Sequence, residues 1–228
     1  MIFKDEYDNS RLTRWFFITI IYFVIFLSGL LMFAEEWVAN GWLESYQING
    51  DYTRRVILML CLTIYFLRLL FTVFVFLKRK MVWVETVIIS ILMSAALFGF
   101  ANVGGSNNLP VGILEVAGIL FFLCGSYINT ASEYTRYTWK KKVENKDRLY
   151  TKGLFKYSMH INYFGDIVLF TGLALIAHSF SLLIIPFIMA LNFIFFIIPR
   201  LDKYLAKKYG EEFKEYAGKT KKFIPMVY

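Results

Sequence analysis

The sequence predicts an all-α integral membrane protein with about six transmembrane helices, a cytoplasmic basic loop and a helical C-terminal tail. Hydrophobic residues make up 58% of the 228 residues, and the mean hydropathy of +0.53 is well above that of soluble proteins. The apolar residues are grouped in runs of about 20, the length that crosses roughly 30 Å of hydrocarbon. Lys and Arg, which give a net charge of +8, are concentrated in alternate connections between these runs.

Six apolar runs are interpreted as membrane spans. They lie at residues 15–34, 56–77, 81–101, 111–129, 163–178 and 182–199. The last two runs are short and closely spaced, which predicts a tight hairpin. The first run is too long for a cleaved signal peptide, and no small-residue cleavage site follows it before Glu35 and Glu36.

The distribution of positive charge predicts the orientation of the chain. Of the 25 Lys and Arg residues, 22 lie at the N-terminus, in the connection at 78–80, in the loop at 136–156 and in the tail from Arg200. The intervening connections contain only Arg54 and Arg55. Because Lys and Arg are retained on the cytoplasmic side, both termini, the basic loop and the tail are predicted to be cytoplasmic. The charge is thus assigned to a layer beside the membrane, and no nucleic-acid partner is expected.

Ionisable side chains within the apolar runs are candidate site residues, because a charge in hydrocarbon is costly and usually faces a cavity or a partner. Arg68 lies inside the second run. Helical periodicity predicts one face that contains Tyr65, Arg68, Thr72 and Arg79. A structural alternative is that Arg68 pairs with Glu85 or Glu115.

The fourth run carries a second polar face if its helix continues into the cytoplasm. That face contains Asn129, Glu133, Arg136 and Lys140. An amide, a carboxylate and two cations suit a ligand with ribose hydroxyls and phosphates. The alternative for Lys140 and the two lysines after it is that they only anchor the end of the helix.

A third cluster of polar residues runs into the fifth span, over residues 153–166. Asn162 and Asp166 are one helical turn apart, and Gly165 between them permits close approach of another backbone or of a ligand. The N-terminus of this helix also offers free N–H groups to an anion. His160 is expected to be a hydrogen-bonded interfacial histidine rather than a catalyst, and no role is assigned to His178.

Several enzyme classes lack their motifs in this chain. No Gly-x-Gly-x-x-Gly follows a predicted strand, so a Rossmann or P-loop nucleotide fold is excluded. No metalloprotease or serine-hydrolase motif occurs either, and no Cys/His spacing predicts a metal site. Cys61 and Cys124 both lie in apolar runs, which does not support a disulfide framework. Internal repeats typical of small transporters are also missing from the sequence.

Four motifs resemble those of the steroid 5α-reductase and sterol reductase superfamily, and they occur in the family's order. They are Tyr65-Phe-x-Arg68-x-x-Phe71, Ile128-Asn129-x-x-Ser132-Glu133, Gly153-Leu-Phe-x-Tyr157 and Asn162-Tyr-Phe-Gly-Asp166. The tail is similar too, with Arg200, Lys208-Tyr-Gly210, Phe223-Ile-Pro225 and an aromatic last residue, Tyr228. The segment from His160 to Asp166 looks most like the sterol C14 and C7 reductase branch.

The resemblance implies one membrane-embedded reductase domain over residues 1–228, with its cofactor-binding half at about 64–228. The residues that would line an NADPH site are Arg68, Arg79, Asn129, Glu133, Lys140, Asn162, Asp166 and Arg200. Tyr65 takes the place of the tyrosine that polarises the substrate carbonyl, and Glu36 or Glu35 is the nearest candidate for its glutamate partner. Lys140 stands where the family usually has Arg, which leaves the preference for NADPH over NADH open.

The function implied by the resemblance is NADPH-dependent reduction of a carbonyl-conjugated C=C bond in a steroid-like or other lipid from the bilayer. No metal and no obligate protein partner are implied. The alternative is an S-adenosylmethionine-dependent methyltransferase of the isoprenylcysteine or phospholipid type, which shares the C-terminal region. The chain departs from that pattern at Met159, Ile161 and Leu201-Asp202. A third hypothesis is a lipid-binding or transport protein without catalytic activity.

Overall fold

The predicted all-helical class is confirmed. The computed structural model describes residues 10–34 and 46–227, and these residues form helices and turns but no β-strand. The helices are α1 (Arg11–Phe33), α2 (Tyr52–Phe76), α3 (Trp83–Gly104), α4 (Ile113–Lys140), α5 (Ile161–Ile176), α6 (Phe180–Tyr209) and α7 (Glu211–Lys219). Helices α2 and α3 end in π-helical turns, and α6 contains one at Phe193–Ile197.

The six predicted spans correspond to helices α1 to α6. Within the described ranges, α1, α2, α3, α4 and α6 are long and apolar enough to cross a membrane, and α5 is a shorter apolar helix. The predicted continuation of the fourth span is confirmed, because α4 extends to Lys140. The sixth run was predicted to be short, which is wrong: α6 has 30 residues. Its last turns contain several Lys residues, which favour helix but lower the hydropathy, so the helix continues beyond the apolar run.

The described residues divide into two compact units. The N-terminal unit contains residues 10–34, 46–122 and 170–185, and the C-terminal unit contains residues 123–169 and 186–227. Helices α4 and α5 each contribute residues to both units.

A fully buried ion pair holds part of the N-terminal unit together. The Arg54 guanidinium donates to Glu115 Oε1 at 2.6 Å and to the backbone carbonyls of Ile176 and Asn107 at 3.1 and 3.0 Å. The same Glu115 oxygen lies 2.6 Å from His178 Nδ1. These contacts compensate for burying the charge, which would otherwise be strongly unfavourable.

The neighbouring Arg55 is also buried and bonded to backbone carbonyls. Its guanidinium donates to the carbonyls of Met32 and Ile48 and lies 5.7 Å from the centre of the Phe33 ring. Arg54 and Arg55 are the two cations that the charge count placed in the intervening connections. The structure gives the reason: both side chains are structural and buried rather than part of a surface charge layer.

In the C-terminal unit, α4 and α5 approach until their backbones touch. A Cβ atom placed on Gly165 of α5 would lie 2.7 Å from the backbone nitrogen of Asn129 and 2.9 Å from the carbonyl oxygen of Gly125. Real Cβ atoms do not come this close to backbone atoms. Small residues at a helix contact are the usual means by which membrane helices pack closely. The expectation that Gly165 allows close approach of another backbone is therefore confirmed.

The C-terminal tail is bonded to the segment that precedes α5. The backbone N–H groups of Met159 and His160 donate to the carbonyls of Lys221 and Lys222 at 2.8 and 3.1 Å. The Ser158 hydroxyl donates to the Phe223 carbonyl at 2.7 Å. These bonds join residues more than sixty positions apart, so the tail is an integral part of this unit.

We expect Gly165→Ala to lower the free energy of unfolding by about 1–3 kcal/mol, because the added methyl group would force α4 and α5 apart. The measurement is the thermal or denaturant unfolding midpoint of the full chain in detergent. The matched control is Gly99→Ala, since a Cβ on that helical glycine meets nothing within 4 Å. The control should be neutral or slightly stabilising. Equal effects of the two substitutions would contradict the backbone contact.

Candidate functional site

A buried polar cluster in the C-terminal unit is the candidate site. We call it the Asn–Glu cluster and define it as Asn129, Glu133, Arg136 and Asn162. The side-chain amide of Asn129 donates to the backbone carbonyl of Asn162 at 2.9 Å, and the side-chain amide of Asn162 donates to Glu133 Oε1 at 2.8 Å. The other Glu133 oxygen accepts from Arg136. Asn129, Glu133 and Asn162 are buried, and Arg136 is partly exposed.

The helical periodicity of α4 and the first turn of α5 bring these residues together. Asn129 and Glu133 are one turn apart on α4, and Arg136 follows three residues later. Asn162 is the second residue of α5, so its side chain lies where the close helix contact begins. Asp166, one turn further along α5, is half-buried. The sequence predicted a polar face on the fourth span and a polar cluster at the start of the fifth. The structure joins Asn129, Glu133 and Asn162 of these two groups by hydrogen bonds.

Aromatic rings flank two cations, Arg136 of the cluster and Lys140 beside it. The Arg136 guanidinium lies 5.5 Å from the centre of the Phe155 ring. The Lys140 ammonium lies 4.8 Å from the centre of the Tyr209 ring and donates to the Tyr209 hydroxyl at 2.9 Å. It also donates to the Arg148 carbonyl. Because an ammonium has three N–H donors, Lys140 retains the capacity to donate to an anion as well.

Tyr65 and Arg68 belong to the N-terminal unit. Tyr65 is 2% exposed, its ring packs edge-on against Phe170 at 5.5 Å, and its hydroxyl lies 4.0 Å from Met93 Sδ. The Arg68 guanidinium lies 5.2 Å from the centre of the Tyr65 ring, so these two residues share a face of α2 as predicted.

The predicted helical face that joined Arg79 to Tyr65 is wrong at its end. Helix α2 stops at Phe76 with a π-helical turn, so Arg79 lies outside the helix. Arg79 forms a bidentate ion pair with Glu85, one bond of which is 2.8 Å. Glu115 is held by Arg54, as described above. The two glutamates proposed as alternative partners of Arg68 thus each pair with another arginine.

The remaining predicted residues are placed as follows. Arg200 is exposed on α6 in the C-terminal unit. Glu36, the predicted partner of Tyr65, and Glu35 lie outside the described residues. The structure therefore joins part of the predicted cofactor set in the Asn–Glu cluster and assigns Tyr65, Arg68 and Arg79 to the N-terminal unit.

Sequence reasoning missed a second buried pair, between His160 and Asp202. The His160 imidazole, 2% exposed, lies 2.8 Å through Nε2 from Asp202 Oδ1, and the Lys222 ammonium lies 3.4 Å from Asp202 Oδ2. The expectation that His160 is hydrogen-bonded is confirmed, but its partner was not predicted. Only the single carboxylate near the start of the tail, in a segment otherwise rich in Lys, was a signal for it.

Tyr216 attaches α7 to the same unit. Its hydroxyl donates to the Phe155 carbonyl at 2.6 Å. Burial raises the pKa of the phenol, so it stays protonated and remains a donor at ordinary pH. The tail is thus anchored at Tyr216, which bonds the Phe155 carbonyl, and again at Lys222, which contacts Asp202.

These elements define a multi-pass, all-helical membrane protein with a buried polar cluster in its C-terminal unit. In comparison with known families, residues 66–220 match the family described as "Protein of unknown function (DUF1295)". The match covers more than half of the chain, so the chain belongs to this family. It includes the whole Asn–Glu cluster and the pair of His160 with Asp202. No curated protein matches the sequence.

We expect Tyr216→Phe to lower the free energy of unfolding by about 1–3 kcal/mol, because the buried Phe155 carbonyl loses its donor. Tyr134→Phe is the control, since that side chain is 57% exposed. Because the pKa of Tyr216 is raised in the folded protein, its stabilising effect should persist up to pH of about 10 and decline above it, as the unfolded chain ionises. Unfolding in detergent at neutral pH and above pH 10 measures both effects; equal losses in the two variants would contradict the assignment.

Proposed function

We propose that the protein is an NADPH-dependent reductase of a carbonyl-conjugated C=C bond in a steroid-like or other lipid. The observation that carries the proposal is the buried Asn–Glu cluster. A buried network of two amides and an ion pair, beside one further cation, Lys140, is energetically unfavourable to maintain in a small helical unit. It also coincides with positions at which the resemblance to the steroid 5α-reductase and sterol reductase superfamily expects NADPH.

The residues of the C-terminal unit fit the chemical groups of a dinucleotide. Ribose hydroxyls both donate and accept hydrogen bonds. They therefore suit the amides of Asn129 and Asn162 and the carboxylate of Glu133. Arg136 and Lys140 suit phosphate oxygens. Under this proposal Asp166 and Arg200 also line the site in the C-terminal unit. The lysine at position 140 offers a point charge rather than the bidentate fork of an arginine.

Tyr65 is proposed to donate a hydrogen bond to the carbonyl oxygen of the substrate. When bound, NADPH supplies the hydride that is added to the β-carbon of the conjugated double bond. The electron pair of that bond moves onto the carbonyl oxygen, where the Tyr65 hydroxyl stabilises the developing negative charge. A proton from solvent then adds at the α-carbon, which leaves a saturated bond. The apolar contacts of Tyr65 with Phe170 and Met93 strengthen such a hydrogen bond by lowering the local dielectric constant.

The substrate class follows from the location of the chain. Five helices long enough to cross a membrane favour a substrate that partitions into the bilayer. The predicted orientation, with the loop at 136–156 and the tail in the cytoplasm, would give a soluble dinucleotide access to the C-terminal unit from that side. A single reductase domain over residues 1–228, with a cofactor-binding half at about 64–228, remains part of the proposal.

We expect NADPH to raise the thermal unfolding midpoint of the purified chain in detergent, and S-adenosylmethionine to leave it unchanged. Asn162→Ala should abolish the shift with NADPH, because it removes the amide that bonds Glu133. Asn108→Ala, in a connection far along the sequence from the cluster, is the control and should retain it. Stabilisation by S-adenosylmethionine alone would instead support a methyltransferase, and stabilisation by neither nucleotide a protein that binds or transports lipids.

We expect Tyr65→Phe to lower kcat about 10²- to 10³-fold with an enone lipid, the typical loss of one oxyanion donor. The affinity for NADPH should stay within twofold of the wild-type value, since the phenol contacts substrate in this proposal. Tyr127→Phe, which changes an exposed tyrosine of α4, should leave both quantities unchanged. Loss of NADPH affinity in Tyr65→Phe would show that the hydroxyl serves another purpose.

A further inference from the structure

The strongest unassigned feature is the buried pair of His160 and Asp202. It joins the residue just before α5 to the cytoplasmic end predicted for α6, two segments 42 positions apart. The carboxylate is 15% exposed and lies between the buried imidazole and the Lys222 ammonium. A buried histidine bonded to a carboxylate has a fixed ring orientation and a fixed tautomer, here with the proton on Nε2.

The face of the imidazole also packs against an aromatic ring. The ring of His160 stacks on Tyr163 with 5.8 Å between centres and 6° between planes. Tyr163 in turn stacks on Phe193 of α6 at 4.7 Å. A ring held at its edge by a carboxylate and on its face by an aromatic pair has little freedom. Because His160 directly precedes α5, holding its ring in place also fixes the direction of the first turn of that helix.

That first turn carries Asn162, two residues after His160. Its carbonyl accepts from Asn129 and its amide donates to Glu133, so any rotation of the turn would break both bonds. The tail backbone strengthens the arrangement, because the N–H of His160 donates to the carbonyl of Lys222. The tail and Asp202 thus meet at His160, two residues before Asn162.

We propose that Asp202 is a positioning residue for the nucleotide site. It holds His160 in one tautomer and orientation, and His160 sets the first turn of α5 so that Asn162 meets Glu133 and the nucleotide. Lys222 completes the pair from the tail and makes the affinity of the site depend on the docked tail. The inference rests on the proposed function, since it assigns the role of Asp202 with respect to the nucleotide bound there.

The test compares NADPH affinity of the full chain in detergent for Asp202→Asn, Asp202→Glu and Lys222→Gln. We expect Asp202→Asn to weaken binding about tenfold or more, because the charge-assisted hydrogen bond that holds the His160 imidazole becomes a weaker neutral one. Asp202→Glu, which keeps the charge, should restore most of the affinity, and Lys222→Gln should give an intermediate loss. Lys219→Gln is the control for Lys222→Gln: it makes the same charge change at an exposed lysine that pairs with Glu215 at the surface.

A spectroscopic readout separates positioning from a general loss of stability. The chain has two histidines, so ¹⁵N-histidine labelling gives two imidazoles, and His178→Gln assigns them. Wild type should show His160 protonated on Nε2, and Asp202→Asn should change its nitrogen shifts together with the affinity. Asp202→Asn with wild-type affinity, or with reduced affinity and unchanged His160 shifts, would overturn the inference while leaving the proposed function intact. Wild-type protein that binds no NADPH would overturn the proposed function and this inference with it.

Discussion

The close contact between α4 and α5 is the constraint on which the candidate site depends. Where Gly125 faces Gly165, the two backbones lie so near each other that a Cβ would overlap with main-chain atoms. At this separation the Asn129 amide reaches the Asn162 carbonyl, and the Asn162 amide reaches Glu133. Longer side chains at the contact would separate the helices and leave buried polar groups without partners, which is costly. The two glycines therefore determine whether the polar cluster can form.

Charge burial is managed differently in the two units. In the N-terminal unit, Arg54 is enclosed completely, and its hydrogen bonds to Glu115 and to main-chain carbonyls fix one arrangement. In the C-terminal unit, the ion pair of Glu133 with Arg136 is buried on the carboxylate side and open on the guanidinium side. The first arrangement suits a structural role, because each guanidinium nitrogen of Arg54 donates to a group within the protein. The second suits a site, because a ligand can approach the cation without breaking the pair.

The pattern of the sequence predicted α4 and its polar face because helical periodicity is a local property that extends across the membrane boundary. The same reasoning was wrong for Arg79, since it assumed that α2 continues, whereas the helix ends at Phe76 in a π-helical turn that spacing does not reveal. Asp202 and His178 could not be predicted either. Their partners, His160 and Glu115, lie 42 and 63 positions away, and no local pattern specifies which helix ends meet.

The helical class, the six apolar segments and the residue types of the Asn–Glu cluster could be predicted from sequence, because hydropathy and periodicity are properties of a single segment. Tertiary packing determines which of the candidate residues are bonded to each other. It placed Arg54 and Arg55 in the interior rather than at the surface. It also tied the tail to the start of α5 through Asp202 and His160. These outcomes depend on how closely helices approach, and that distance is set by the combined packing of residues far apart in the chain.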